Sequence, residues 1–493
     1  MLSIRDIFRS SSKISGVNIG AGILAAGANI FVARRLGPDV FGVVGWVQMW
    51  LFYAGFAKPG CSQAAYREML HLLGQSKDEE AHRIQDVALT TDWLFLAAPA
   101  LAMLCASLFV LKRMDMRLGM AIAAVTFTVT SIYQTVDMVQ WVHKRFALIT
   151  RVNLLTGILQ PALLIAGTWL LGLAGALAAP AVSTLLAIGY YVLRTQAFDF
   201  SPRWDWRESK KLMVIGFPLV LQGLLYWGMR TSDRTMVAAW LSLAALGYFS
   251  FAMSFINQGC QLVSDFVNVL QSHVFSELGR LGRVAPLSGK IQRICLLVTL
   301  ATGCASGLAQ AGFHPFVAML APKFTPGVKA FEILALNLVC TTISLPINTI
   351  LNSAVMNRQN LTNGIQVAGL ILNVAVGRAF YLLGWGLNGI AWSSAVSQLA
   401  VAVAIYAAAH RALFEEDAAN SAVRFYSWGL GLIGLTFAMH WTMDRSIFGY
   451  AAEGSWLFPF VARILLLSIA WSLTAVLVHR YWWPERSLKR LLA

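Results

Sequence analysis

The chain has 493 residues, 58% of them hydrophobic and 12% charged, with a net charge of +15 from 38 basic and 23 acidic side chains. A soluble domain is typically about half apolar and about a quarter charged, and a mean hydropathy of +0.64 leaves too little polar surface to face water. Soluble globular, disordered, coiled-coil and collagen-like proteins are excluded. Long continuous apolar stretches point to an all-α polytopic membrane protein and not to a β-barrel, which needs short alternating strands. The excess positive charge reads as loop charge at a membrane surface, with nucleic acid excluded as a partner.

A spanning helix needs about 20 apolar residues, so charge-free intervals measure the spans. In chain order they are Ile14–Ala33, Val40–Ala57, Trp93–Leu111 and Leu118–Val136. Two more fill Val152–Leu193, turning at Gly172 and Gly175. Leu212–Trp240, Leu246–Phe275, Ile294–Ala321 and Ile333–Asn357 follow. Leu361–Leu383 and Leu387–Ala409 turn at Gly384 and Gly386, and Phe425–Met443 and Trp456–His479 close a set of about 14 transmembrane helices. The first run is too long for a signal peptide, so an uncleaved first span is expected.

Alternate loops differ in charge: one set carries about 25 Lys and Arg, the other about 11, which places both termini in the cytoplasm. The longest connections, around Leu70–Asp86, Thr195–Lys211 and Glu277–Arg293, cannot hold a soluble catalytic domain. Six cysteines without a CxxC pair read as small core hydrophobes.

The chain repeats itself. Gly172-Leu-Ala-Gly-Ala-Leu-Ala-Ala-Pro-Ala-Val-Ser183 resembles Gly386-Leu-Asn-Gly-Ile-Ala-Trp-Ser-Ser-Ala-Val-Ser397 at an offset of 214, and Leu36…Phe41-Gly42 matches Leu241…Leu246-Gly247. Two pseudo-symmetric six-helix lobes are expected, 1–200 and 201–415, with 416–493 supplying two additional helices and a cytoplasmic tail. Halves of even helix number keep the same orientation and are related by an axis along the membrane normal, with a substrate site between them.

Several stretches then carry a resemblance. Ala33-Arg-Arg-Leu-Gly-Pro-Asp-Val-Phe-Gly42, Gly60…Ala65-Tyr-Arg67-Glu68, Gly216-Phe-Pro218 with Ser232-Asp233-Arg234, Leu246-Gly-Tyr-Phe-Ser-Phe-Ala252 and Leu383-Gly-Trp-Gly-Leu-Asn-Gly-Ile-Ala391 resemble, in order, motifs of bacterial polysaccharide, or O-antigen, flippases. That family belongs to the multidrug/oligosaccharidyl-lipid/polysaccharide flippase superfamily, with a MATE-like fold. The resemblance spans roughly residues 10 to 410. It implies alternating access in the bacterial inner membrane. It also implies movement of undecaprenyl-pyrophosphate-linked oligosaccharide from the cytoplasmic to the periplasmic leaflet for exopolysaccharide or O-antigen assembly. The implied partners are that lipid-linked substrate, membrane lipids, and polysaccharide polymerase and export proteins.

Such cargo needs a wet cavity with cations for its phosphates, and charges inside spans are costly enough to be candidates by default. The cavity cations are Lys58 in span two, Arg230 and Arg234 in span seven and Arg378 in span eleven. The competing readings are snorkelling for Lys58, an ion pair for Asp233 with Arg234, and an outer-interface anchor for Arg378. Asp137, Asp233 and Asp265 are candidates for ion coupling or ion pairing. Asn29, Asn337, Asn373 and similar amides suit sugar hydroxyls or interhelical hydrogen bonds. Gly429-x-Gly431-x-x-Gly434 and Gly16-x-x-x-Gly20 read as small-residue helix contacts. No P-loop, HExxH or Cys/His cluster appears, so no catalytic residue, metal or cofactor is expected. The alternatives are a cation-coupled multidrug exporter, disfavoured by a first span without an acidic residue, and a peptidoglycan-precursor flippase. From other classes come a membrane glycan polymerase or ligase and a scaffold of an export complex.

Overall fold

The computed structural model describes residues 4–143, 145–194, 200–261, 288–351, 356 and 358–413. The expected spans Phe425–Met443 and Trp456–His479, and Asp265, lie outside the described residues. Among the described residues every regular element is helical. They are α1 (Ile4–Ala54), α2 (Cys61–Gly74), α3 (Asp78–Cys105), α4 (Met114–Val142), α5 (Phe146–Leu171), α6 (Leu173–Arg194) and α7 (Trp206–Trp240). Then come α8 (243–261), α9 (Ser288–Leu320), α10 (Val328–Leu351), α11 (Gln359–Leu382) and α12 (Gly386–Leu413). Among the described residues eight helices are long and apolar enough to cross a membrane, or nine if the two parts of α7, bent by 53°, form one span. This is a multi-pass helical membrane protein. Leu94, Phe109, Leu170 and Leu193 stand exposed on its surface, as lipid-facing side chains do.

The helices overrun the spans that charge marks. The expected connection around Leu70–Asp86 shrinks to residues 75–77, because α2 ends at Gly74 and α3 starts at Asp78. The first turn of α3 carries Asp78, Glu79 and Glu80, which favour a helix N-terminus and so begin the helix well before hydrocarbon begins. The first two spans form one continuous element interrupted by Gly37, whose φ of 76° and ψ of 170° lie outside helical values. Pro38 follows it and starts the second half. Gly172 turns the chain between α5 and α6 with φ 58°, and Gly386, its counterpart in the repeat, opens α12 with φ 54°. Gly175 is no part of the turn. It sits inside α6 against the backbone of Gly167 in α5, where a side chain on either residue would collide. Gly20, read as a helix contact, has no neighbour within 4 Å where its side chain would be.

The chain divides into two compact units, Met1–Gln258 with Gln366–Ile390, and Gly259–Ile365 with Ala391–Ala493. In the first unit α1 packs on α4 and α5, α3 on α2 and α4, and α6 on α4 and α5. Its contacts are built from small residues that let backbones approach, such as Ala64, Ala65, Ala81 and Ala88 between α2 and α3. In the second unit α9 and α10 pair. Ser306 Oγ donates to the Ala335 carbonyl at 2.7 Å, and Phe313 stacks on Phe331.

The first unit also holds a reciprocal contact that follows the repeat. A Cβ on Gly42 would overlap the Leu243 carbonyl, and one on Gly247 would overlap the Pro38 carbonyl. The repeat offset of 205 that maps Gly42 onto Gly247 also maps Pro38 onto Leu243. Gly45 faces Ser250 at the same offset. The second half of α1 and the start of α8 therefore meet about a local pseudo-twofold axis, glycine against carbonyl on both sides.

Overpacking at such a contact costs about 1–3 kcal/mol. Gly247→Val is therefore expected to lower the thermal unfolding midpoint of the detergent-purified protein, while Gly20→Ala leaves it unchanged. Equal midpoints for Gly247→Val and wild type would remove the contact from the fold's determinants.

Candidate functional site

The site begins where the second span breaks. A short 3-10 turn covers Gly55–Ala57, and Lys58 then turns extended, with φ −75° and ψ 127°. Pro59 enforces this, since a residue before proline avoids the helical region. Gly60 has φ +81°, and a Cβ there would meet Gly216 of α7 and Val220. The chain resumes as α2 at Cys61.

A helix that starts inside a bundle has unsatisfied N–H groups. A carboxylate from another helix satisfies them here. Asp92 Oδ1 accepts from the Cys61 N–H at 3.2 Å, and Asp92 Oδ2 accepts from the Ser62 N–H at 2.9 Å and from the Ser62 hydroxyl. Asp92 is 7% exposed in the middle of α3. Its negative charge lies at the positive end of the α2 dipole. In the sequence Asp92 is simply the charge directly before the Trp93–Leu111 interval. Its one sequence signal is an acidic residue directly before an apolar run, and nothing there points to the break about 30 residues earlier.

Above this cap lies a cavity of about 670 Å³, lined by Lys58, Ser62, Gln63, Tyr66, Asp92, Ser131 and Gln134 among others. Lys58 Nζ donates to Gln134 Oε1 at 2.7 Å and lies 5.6 Å from the centre of the Phe127 ring. An ammonium has three protons, so further donors remain for a ligand. Ser131 is 2% exposed and its hydroxyl has no partner among the described residues. One cation with amides and hydroxyls, beside an Asp92 carboxylate already engaged by the α2 amides, converges on an apolar-walled pocket and can hold an anionic group together with neutral hydroxyls.

The other predicted cations lie elsewhere. Arg230 is buried in α7 with its guanidinium 5.1 Å from the Trp227 ring centre. Asp233 is fully buried and accepts from Asn373 Nδ2 of α11 at 2.6 Å. Arg234 Nη1 donates to Gln48 of α1 at 3.3 Å. The structure thus gathers Arg230, Asp233, Arg234 and Asn373 into one cluster. Arg378 stands apart, exposed on α11, 5.4 Å from the ring centres of both Trp240 and Tyr381. Gln48 lies on α1, whereas Lys58 lies beyond the end of that helix at Ala54, past the Gly55–Ala57 turn, so Arg234 and Lys58 meet the chain at different levels. Asp137 is half-buried in α4, where Tyr191 Oη of α6 donates to it at 2.5 Å and Trp141 Nε1 at 3.0 Å. Among the described residues no cluster of His, Cys, Asp and Glu could hold a metal ion.

Residues 31–283 match the model of a family described as polysaccharide biosynthesis protein. The chain belongs to this family. No curated protein matches it in sequence. Among solved structures, the lipid II flippase MurJ in an inward closed conformation aligns at TM-score 0.68 and 11% identity, covering 95% of this chain and 98% of that one. An inward-facing multidrug resistance MATE family transporter of the MOP superfamily aligns at TM-score 0.62 and 16% identity, over 86% of this chain and 99% of that one. The eukaryotic MATE transporter AtDTX14 aligns at TM-score 0.56 and 12% identity, over 87% and 99%. The fold is the one these transporters share, as the sequence resemblance implied.

Loss of a helix cap costs about 1–2 kcal/mol. Asp92→Ala is expected to lower the unfolding midpoint of the purified protein more than Ser62→Ala, which removes only one of the three donors. If Asp92→Ala melts like wild type, the carboxylate does not hold α2 in place.

Proposed function

We propose that this protein is a flippase that moves undecaprenyl-pyrophosphate-linked oligosaccharide from the cytoplasmic to the periplasmic leaflet of the bacterial inner membrane. The lobes 1–200 and 201–415 alternate access, and both termini lie in the cytoplasm. The observation that carries this reading is the cavity at Lys58, considered together with membership of the polysaccharide biosynthesis family. A drug exporter has little use for a pocket that joins a lysine to hydroxyl and amide groups. A lipid-linked glycan has phosphates for the cation and sugar hydroxyls for the rest.

On this reading Lys58 takes the pyrophosphate near the cytoplasmic side, and Arg230 and Arg234 take it further out. Arg378 acts at the outer interface, held over Trp240 and Tyr381. Asp137 and Asp233 take the ion-coupling or ion-pairing part, a reading supported by their hydrogen bonds to Tyr191 and Asn373 of other helices. The polypeptide carries out translocation and no bond-making chemistry. A polymerase and export proteins would take up the product in the outer leaflet.

The test is in cells. With the gene deleted, single lipid-linked repeat units should accumulate in the cytoplasmic leaflet, protected from an impermeant glycan-modifying probe added to spheroplasts. Units that reach the outer leaflet unpolymerised would point to an enzyme or scaffold, and no accumulation in either leaflet would point to a drug exporter. Hydrogen bonds to charged groups contribute about 1.5–3 kcal/mol, so Lys58→Gln and Arg230→Glu should each reduce export about tenfold or more at normal protein level. Charge reversal at Arg378 should impair export in the same assay. Normal export in all three variants would sink the phosphate-gripping roles.

A further inference from the structure

The segment that leads into α7 is fastened along one stripe of α3. Phe200 packs on Trp93 with ring centres 4.8 Å apart. The Ser201 N–H donates to Asp86 Oδ1 at 3.3 Å, and the Arg203 N–H donates to Thr90 Oγ1 at 2.9 Å. Asp205 pairs with Arg83 Nη2 at 3.1 Å, and its other oxygen caps α7 through the N–H groups of Arg207 and Glu208. Residues 83, 86, 90 and 93 recur at helical spacing, so all four anchors lie on one face of α3. The amides at the α7 N-terminus and the Arg83 guanidinium hold the Asp205 carboxyl below the ordinary carboxylate range.

This fastening has a directional consequence. Asp205 is extended, with φ −133° and ψ 104°, and in extended chain successive side chains point to opposite sides. With Asp205 turned toward α3, its neighbours Trp204 and Trp206 are turned outward together. They are 50% and 56% exposed, and their rings stack 6.0 Å apart. Arg203, Arg207 and Lys210 are exposed beside them and have no acidic partner among the described residues, whereas Lys211 pairs with Glu208 at 3.6 Å. Immediately beyond Lys211 the outer side of α7 becomes apolar, with Val214 and Phe217 exposed. The basic, aromatic plate therefore lies where a lipid-facing helix surface begins.

Indole rings settle at the headgroup level, and juxtamembrane cations attract anionic lipid. We propose that Trp204 and Trp206, with Arg203, Arg207 and Lys210, form a preorganised binding surface for anionic phospholipid headgroups on the cytoplasmic leaflet, held in shape by Asp205 on α3. The occupant is a phospholipid and not a free anion, because the paired indoles supply an apolar contact that phosphate alone cannot use. This surface is separate from the Lys58 cavity and stands whether or not the substrate is a lipid-linked glycan.

The experiment uses the full chain, purified in detergent and titrated with dioctanoyl phosphatidylglycerol, with dioctanoyl phosphatidylcholine and with inorganic phosphate. Wild type is expected to bind the anionic lipid at least about tenfold more tightly than the zwitterionic one, and phosphate at millimolar concentration should not compete. The exposed-site variant Arg203→Gln/Arg207→Gln/Lys210→Gln, and separately Trp204→Ala/Trp206→Ala, should lose that preference. Lys112→Gln, on another loop, should keep it. Asp205→Ala distinguishes a shaped surface from a merely charged one. It removes a negative charge, so charge counting predicts tighter anionic-lipid binding, whereas release of the plate predicts weaker binding. No preference in wild type, an intact preference in both multiple variants, or full competition by phosphate overturns the proposal. Tighter binding by Asp205→Ala overturns the part assigned to Asp205.

Discussion

A broken helix inside a membrane protein exposes backbone amides where water is scarce, and each must find an acceptor. The bond from Asp92 to the first turn of α2 meets that requirement. Without it, the Lys58-Pro59-Gly60 break would leave the amides of Cys61 and Ser62 stranded between α3 and α7. With it, the chain can leave helical geometry for a few residues and turn a lysine into a cavity. Two further features depend on the same break. Gly60 takes a left-handed conformation, and it sits so close to Gly216 that a side chain on either would collide. The motifs around Gly60 and Gly216, distant in sequence, are thus two sides of one contact. The cavity is the space left beside it.

The reciprocal contact of Gly42 with Leu243 and of Gly247 with Pro38 shows how a weak sequence repeat acquires physical meaning. Apolar helices share residues easily, so matched glycines prove little by themselves. When the matched glycines also face matched carbonyls, one steric demand is imposed twice by the same local structure. Each glycine admits the other segment's backbone, and neither can be replaced without displacing the partner. Gly172 and Gly386 show the same kinship differently, as left-handed residues at the start of α6 and α12.

Much of the fold was legible because a membrane imposes simple rules. Length and apolarity located the helices, and positive-φ glycines at Gly172, Gly384 and Gly386 marked turns as expected. Helix ends were less legible, because charge records the edge of hydrocarbon and not the end of hydrogen bonding. The acidic first turn of α3 is the clearest case, since Asp78, Glu79 and Glu80 stabilise a helix start well before the apolar interval opens at Trp93. The site was read in part. Lys58 stood out as a cation in an apolar setting, but Gln134 and Ser131 could not be joined to it without the packing of α4. Asp92 was hidden because its role depends on a helix terminus 30 residues away. Asn373 was read as a sugar contact or an interhelical bond, and it bonds Asp233 of another helix.

The spacing of the cations bears on how the proposed cargo could move. A pyrophosphate gripped at once by Lys58, Arg230 and Arg234 would be bound too firmly to leave. Passage needs sites that attract enough to admit the ligand and are weak and numerous enough to release it. Here Lys58 sits past the end of α1, away from the level at which Arg234 meets Gln48 on that helix, and Arg378 sits apart over Trp240 and Tyr381. Lys58 and Arg234 donate to side-chain amides, and Arg230 and Arg378 lie over aromatic rings. Such partners hold a guanidinium or ammonium in place without cancelling its charge. A phosphate arriving at any of these levels meets a cation whose position the surrounding helices have already set.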